Sequence, residues 1–335
     1  MTRGQRATLR TISEMTGLSL STVSLSLRGG GNLKTETRDK IAAAARAVGY
    51  VPDRAGVRLR TGKTNVIALV MDGAETALGF SRQMIQGIAD AIRGSRYHLT
   101  VMPDFDRIAS VETVRYILDN RTADGVIVTH TSPRDPRVAL LMDAGFPFVT
   151  HGRTEFFTPH AFHDFDSERY VTLAVTRLVE TGARRLMSVQ WDDQTFNFHM
   201  TKRSFLTAVA RAGVEGRVSI QSPDAAGNTL AIRTFGEALA RDPDRPDGIL
   251  CDGELPALAL AAGLRAGGLV IGKDIRLISK RTSQLLPTLF PEIESIEEDV
   301  VAAGHELTRL LLAQIGGRPP EELRTLAEPI AAFAR

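Results

Sequence analysis

The sequence predicts a small all-α head joined to a larger α/β body made of two doubly wound parallel-sheet subdomains. Three observations carry this. Residues 9–50 repeat apolar side chains at helical spacing in three short runs. From Asn65 onward, β-branched strand runs alternate with amphipathic helical runs. The charge also changes sign at that point. Residues 1–63 hold 12 Lys/Arg against 4 Asp/Glu, and the remainder holds 29 against 35.

Composition sets the bounds. A chain of 335 residues exceeds the need of one small domain. With 43% hydrophobic and 24% charged residues it has globular proportions, neither disordered nor membrane-like. No apolar run is long enough to span a bilayer, and Met1 to Arg10 lack the apolar core of a secretory signal. The single Cys251 rules out an internal disulfide and fits a reducing compartment, so the expected location is the cytoplasm. A basic head on an acidic body points to a head that meets a polyanion; a solvated basic tail is the bland alternative.

The head reads as three helices. Leu9, Ile12, Ser13 and Met15 give the first a narrow apolar stripe. Gly17 permits a tight turn, and Ser19 is placed to cap the next helix, about Leu20 to Leu27, with Val23 and Leu27 inward. Ser21, Thr22 and Ser24 then point outward, where small hydroxyls suit close approach to base edges and phosphates. Arg28 to Asn32 form a loop. The third helix, about Thr35 to Val48, buries Ile41, Ala44, Ala45 and Val48 and ends at Gly49.

This helix-turn-helix resembles the LacI/GalR family of transcriptional regulators. The carrying residues are Leu9-Arg10-Thr11-Ile12-Ser13, Gly17-Leu18-Ser19, Ser21-Thr22-Val23-Ser24, Thr37-Arg38 and Gly49-Tyr50-Val51-Pro52. The resemblance implies DNA contacts from Thr8, Ser19, Leu20, Ser21, Thr22, Ser24, Leu25, Arg28, Asn32, Thr37, Arg38 and Tyr50. It also makes Pro52 to Lys63 a hinge helix that folds in the minor groove, with Asp53, Arg54 and Ala55 at the DNA and Leu59 as a wedge between base pairs. Arg54, Arg58 and Arg60 suit phosphate neutralisation. Two departures stand out. Leu25 replaces the family's usual Arg, so the operator read there should differ. Lys34 replaces a capping Ser, leaving Thr35 to cap the third helix.

In the body, strands are expected at Val66–Val70, Tyr97–Met102, Asp124–Val128, Phe146–Thr150, Arg185–Val189, Gly248–Cys251 and Ile275–Ser279. Helices are expected near 81–93, 111–120, 167–181, 200–213, 228–241 and 255–267. The matching pieces Ala123 to Ile127, Phe146 to Val149 with Arg153, Asp166-Ser167-Glu168, Cys251 to Glu254 and Gly272 to Ile275 resemble the same family's periplasmic-binding-protein-like sensor. That resemblance implies three chain crossings, near residues 164, 293 and 323. The layout is then a DNA-binding head (1–51), a hinge (52–63), one sensor subdomain (64–164 and 293–322) and a second (165–292 and 323–335).

A small-molecule effector is expected in the crevice between the subdomains. Alignment to strand-end loops gives Asp72, Phe80, Thr129, His151, Asp193, Gln194, His199, Asp252, Arg281 and Glu298 as candidates. Several family positions are changed: Gly152 replaces an Asp, Thr201 a clamping Arg, Gly253-Glu254 an Asn-Asp pair, and Arg281 an Asp. Arg281 admits two readings. It favours an anionic ligand, a sugar phosphate or acid. Alternatively it pairs with Glu254 or Glu298 and leaves a polyol site for a sugar.

No metal-type His pairing, nucleophile elbow, Walker A or dinucleotide fingerprint occurs, so no cofactor and no enzymatic activity are expected. The expected partners are double-stranded operator DNA, the effector and a second copy of the chain, a homodimer or higher, with no membrane. The competing reading is a sugar-binding transport protein or sugar-processing enzyme sharing the body's fold. The basic head and missing export signal argue against it. The run Arg54 to Asn65 also resembles regulators of alpha-glucoside use.

Overall fold

The computed structural model describes residues 7–28, 30, 32–50, 58, 61–72, 78–104, 111–191, 194–221, 229–331 and 333. The chain divides into two units, Met1–Thr64 and Asn65–Arg335.

The first unit holds α1 (Leu9–Thr16), α2 (Leu20–Leu27) and α3 (Thr35–Ala47). A capping box starts α1: the Thr8 hydroxyl accepts the Thr11 N–H at 3.3 Å, and the Thr11 hydroxyl accepts the Thr8 N–H at 3.2 Å. Gly17 ends it at φ 70°, where a side chain would be strained. Ile12, Val23, Ile41 and Ala45 form the core, ringed by Leu9, Leu18, Leu27 and Tyr50. Two expectations are corrected. Met15 is 53% exposed and Thr16 is buried in its place. The reason is that Leu9, Ile12 and Thr16 fall at i, i+3, i+7 on one face, and Met15 does not. Thr35 does not cap α3 but is its first helical residue; Lys34 holds the cap position without a side-chain bond.

The second unit contains two six-stranded sheets. The first orders β2 (His98–Asp104), β1 (Val66–Asp72), β3 (Gly125–Val128), β4 (Phe148–His151), β5 (Ala161–Phe165) and β11 (Arg324–Ala327), all parallel. The second orders β7 (Glu215–Gln221), β6 (Arg185–Trp191), β8 (Gly248–Cys251), β9 (Arg276–Arg281), β10 (Glu294–Glu297) and β12 (Ile330–Ala331). Only β12 is antiparallel there.

The crossings differ from expectation at two places. The first follows Phe165, close to 164. Because β10 pairs with β9, the second comes after Glu297 and not near 293. Because β11 pairs with β5, the third comes after Ala327 and not near 323.

Strand alternation feeds both faces of each sheet. Ile67, Leu69 and Met71 of β1 pack with α4 (Leu78–Ile92) and α12 (Val300–Ile315). Ala68 and Val70 pack with α5 (Glu112–Asn120) and α6 (Pro136–Asp143). In the second sheet, Met187 and Val189 face α9 (Thr229–Arg241), α10 (Glu254–Ala266) and α11 (Leu285–Leu289). Leu186 faces α7 (Ser167–Glu180) and α8 (Phe196–Ala212). Helices α9 and α10 touch backbone to backbone at Gly263, where an added Cβ would lie 2.0 Å from the Arg233 carbonyl oxygen.

Candidate functional site

On the head, α2 exposes Leu20, Ser21 and Leu25, while Thr22 and Ser24 are half-buried. Ser19 organises the start of this helix. Its hydroxyl accepts the Thr22 N–H at 3.1 Å and lies 2.8 Å from the hydroxyls of both Ser21 and Thr22. Arg28 Nε donates to the Ser24 carbonyl at 2.6 Å. Thr8, Asn32 and Arg38 are exposed; Thr37 and Tyr50 are half-buried, Tyr50 against the head core. The hinge residues Asp53, Arg54, Ala55 and Leu59 lie outside the described residues.

In the second unit, strand ends from both sheets meet in a charged cleft. Its centre is Lys280 on β9. The ammonium lies 3.0 Å from Asp252 Oδ1 and 3.2 Å from Glu298 Oε2. His151, at the end of β4 in the other sheet, reaches Glu298 Oε1 at 3.4 Å. Burial works against the Glu298 carboxylate, but Lys280 and His151 outweigh it and hold its pKa down at about 2. Phe80 packs edge-on to His130 and His151, with ring centroids 5.1 and 5.2 Å apart. Thr129 is fully buried, with its hydroxyl 3.0 Å from His130 Nδ1.

A second set of contacts ties the two sheets together. The Phe196 N–H, opening α8, donates to the Thr131 carbonyl at 2.7 Å. The Thr131 hydroxyl donates to the Arg153 carbonyl at 2.8 Å, and the Arg153 guanidinium lies 5.2 Å from the Phe196 ring centroid. Arg153 also pairs with Asp164 at 2.7 Å.

Two family models match this architecture. "Bacterial regulatory proteins, lacI family" matches residues 8–53, and "Periplasmic binding protein-like domain" matches residues 175–333. The chain belongs to the LacI family of transcriptional regulators.

Among relatives of this LacI-family chain is the HTH-type transcriptional regulator AglR of Rhizobium meliloti, 29% identical over 94% of this chain and 90% of its own. RafR of Escherichia coli is 28% identical over 96% of both chains. CelR of Thermobifida fusca is 26% identical over 98% and 97%. Among solved structures, a transcriptional regulator CelR–cellobiose complex superposes with TM-score 0.70 at 25% identity, covering 98% of each chain. The Lac repressor bound to ONPG shares the fold at TM-score 0.81 and 18% identity, again over 98% of each.

Several cleft positions singled out in the sequence as departures from the family pattern have local explanations. Arg281 is buried and pairs with Glu297, and donates to the Ser283 carbonyl at 3.0 Å. The expected partners are thus corrected. Glu298 is held by Lys280, and Glu254 accepts from Ser283 Oγ at 2.8 Å and Thr282 Oγ1 at 3.3 Å. Gly152 sits at φ 107°, and a Cβ there would lie 2.6 Å from Thr131 Oγ1, so the family's Asp has no room. His199 is exposed, on the side of α8 away from Asn197 and Thr201. Gln194 is also exposed, at φ 54°. Asp193 and the side chain of Asp72 lie outside the described residues. Sequence reasoning missed Lys280. The signal was a second cation beside Arg281 on the same strand, pointing to the opposite face.

Proposed function

We propose that this LacI-family regulator is a repressor that binds a near-palindromic operator as a homodimer, and that a neutral, carbohydrate-type effector in the cleft controls that binding. The observation that carries the effector class is charge balance. Lys280 is matched by Asp252 and Glu298, and Arg281 by Glu297. Neither cation is left over for a phosphate or carboxylate, whereas hydrogen-bonding side chains remain to meet hydroxyls. The relative solved with cellobiose supports the same class.

The head supports the DNA reading through an exposed α2 whose first turn is preorganised by Ser19. Exposed Leu285 and Leu289, one turn apart on α11, and Leu255 at the start of α10 offer apolar area to a second copy. No helix among the described residues is long and apolar enough to cross a membrane. A regulator that meets genomic DNA works in the cytoplasm, and the reading assigns it no reaction.

The test is fluorescence anisotropy on DNA from upstream of its own gene, with cellobiose, maltose and glucose 6-phosphate added in turn. The expected result is tight binding that a neutral disaccharide weakens and the sugar phosphate does not. Failure to bind any such fragment sinks the regulatory reading. Release by the phosphate, lost in Arg281→Ala, sinks the neutral effector.

A further inference from the structure

The layer between β6 and α8 changes character toward the strand C-termini. At its inner end, Leu186 of β6 packs in one core with Tyr170 and Phe205. Ser188 and Gln190 follow Leu186 on the same face, by the two-residue period of a strand. On α8, Thr201 stands about one turn before Phe205, and Asn197 one turn earlier. Asn197 fixes where this end of the layer lies. Its side chain accepts from Ser167 Oγ and donates to Asp252 Oδ2 at 3.2 Å, and Asp252 belongs to the charged cleft. The polar layer is therefore continuous with the cleft.

Ser188, Gln190 and Thr201 are 1%, 3% and 1% exposed. Four of their side-chain atoms have no hydrogen-bond partner among the described residues: Ser188 Oγ, Thr201 Oγ1, and both Oε1 and Nε2 of Gln190. Buried polar groups are paired as a rule. Unpaired atoms gathered in one layer mark a place for groups that the chain does not supply. All three side chains are neutral. A carboxamide sets a donor beside an acceptor, and each hydroxyl can be either, which matches adjacent hydroxyls on a ring. A phosphate would find no cation among them.

We propose that Ser188, Gln190 and Thr201 form a buried subsite that takes a hydroxyl-bearing part of the effector, with Gln190 as its principal contact. This rests on the carbohydrate reading above and extends it from the cleft inward to β6.

Gln190→Met keeps most of the volume and removes the amide. Two measurements on the full chain decide the matter: calorimetric titration with cellobiose and maltose, and the melting temperature without sugar. The variant is expected to bind the sugar that wild type binds at least tenfold more weakly. Its sugar-free melting temperature should equal or exceed that of wild type, because an unpaired buried amide has been replaced by an apolar side chain. Unchanged affinity, with water alone filling the layer, overturns the subsite. So does a melting temperature several degrees lower, since Gln190 would then have structural partners. If wild type binds neither sugar, the carbohydrate reading is what fails, and the melting temperature still decides the subsite, a fall overturning it and a rise supporting it.

Discussion

Lys280 lies between two carboxylates, and the three charges depend on one another. Burial alone would lower its pKa; Asp252 and Glu298 more than reverse that and keep the ammonium charged. Glu298, held near 2 against an ordinary 4.5, contributes stability that is fully present above about pH 4.5 and is lost as pH falls through 2. Lys280→Met strands both acids in the cleft. Its expected cost is about 3–5 kcal/mol in denaturant unfolding, the usual penalty for breaking a buried pair from one side. Arg281→Met strands only Glu297 and should cost less; equal costs would refute the central place given to Lys280. Asp252 was legible in the sequence because it follows a strand whose pattern is plain, whereas Glu298 was reached only through the family resemblance, since β10 before it was not expected. Lys280 was not, because the family position falls on Arg281. Neighbours on a strand face opposite ways, so an offset of one residue moves the reading to the wrong side of the sheet.

At the scale of elements, the α9–α10 contact is set by backbone approach. Gly263 has no space for a methyl group against the Arg233 carbonyl. Gly263→Ala is expected to push the helices apart and cost about 1–3 kcal/mol, the range for overpacking. Ala262→Ser, one residue away and exposed, should stay within about 0.5 kcal/mol. Thermal unfolding of the two variants checks this, and similar losses would mean the contact yields easily. The central strands and most long helices were legible because β-branched runs and 3.6-residue periodicity rarely mislead over such lengths. Helix α12 was not anticipated. It begins Val300-Val301 and is apolar over much of its circumference, so its pattern is neither a clean stripe nor an alternation. The short edge strands β11 and β12 exist through pairing with distant residues, which no local pattern announces.

For the molecule as a whole, acidity is the condition to which the second unit should respond. His160 and His163 are buried beside β11 and are pushed down to about 4 by that burial, aided by Arg324 for His160 and by His151 for His163. The unfolded imidazole takes its proton near 6.5, the folded one only near 4. Stability should therefore fall as pH drops from about 6.5 toward 4, by at most about 1.4 kcal/mol per pH unit for each ring. Melting temperatures of the full chain at pH 7 and 5 test this. His160→Phe should flatten the slope, and an unchanged slope would remove His160 from the account. The division into a basic head and an acidic body was visible in the charge count alone. The crossing points were not, since they are fixed by which sheet accepts β10 and β11.

Helix α12 has a consequence for the chain while it is being made. Its Leu307 and Leu311 share a core with Ile67, Ile127 and Val149 of the first sheet. Strand β5 ends at Phe165 and α12 begins at Val300, so roughly 130 residues of the second sheet's unit are synthesised in between. At roughly 5–20 residues per second, the first sheet waits about 7–27 s with that apolar face covered by α4 but not by α12. The nascent chain, and not the finished regulator, is then the species most exposed to aggregation and most in need of a holding chaperone.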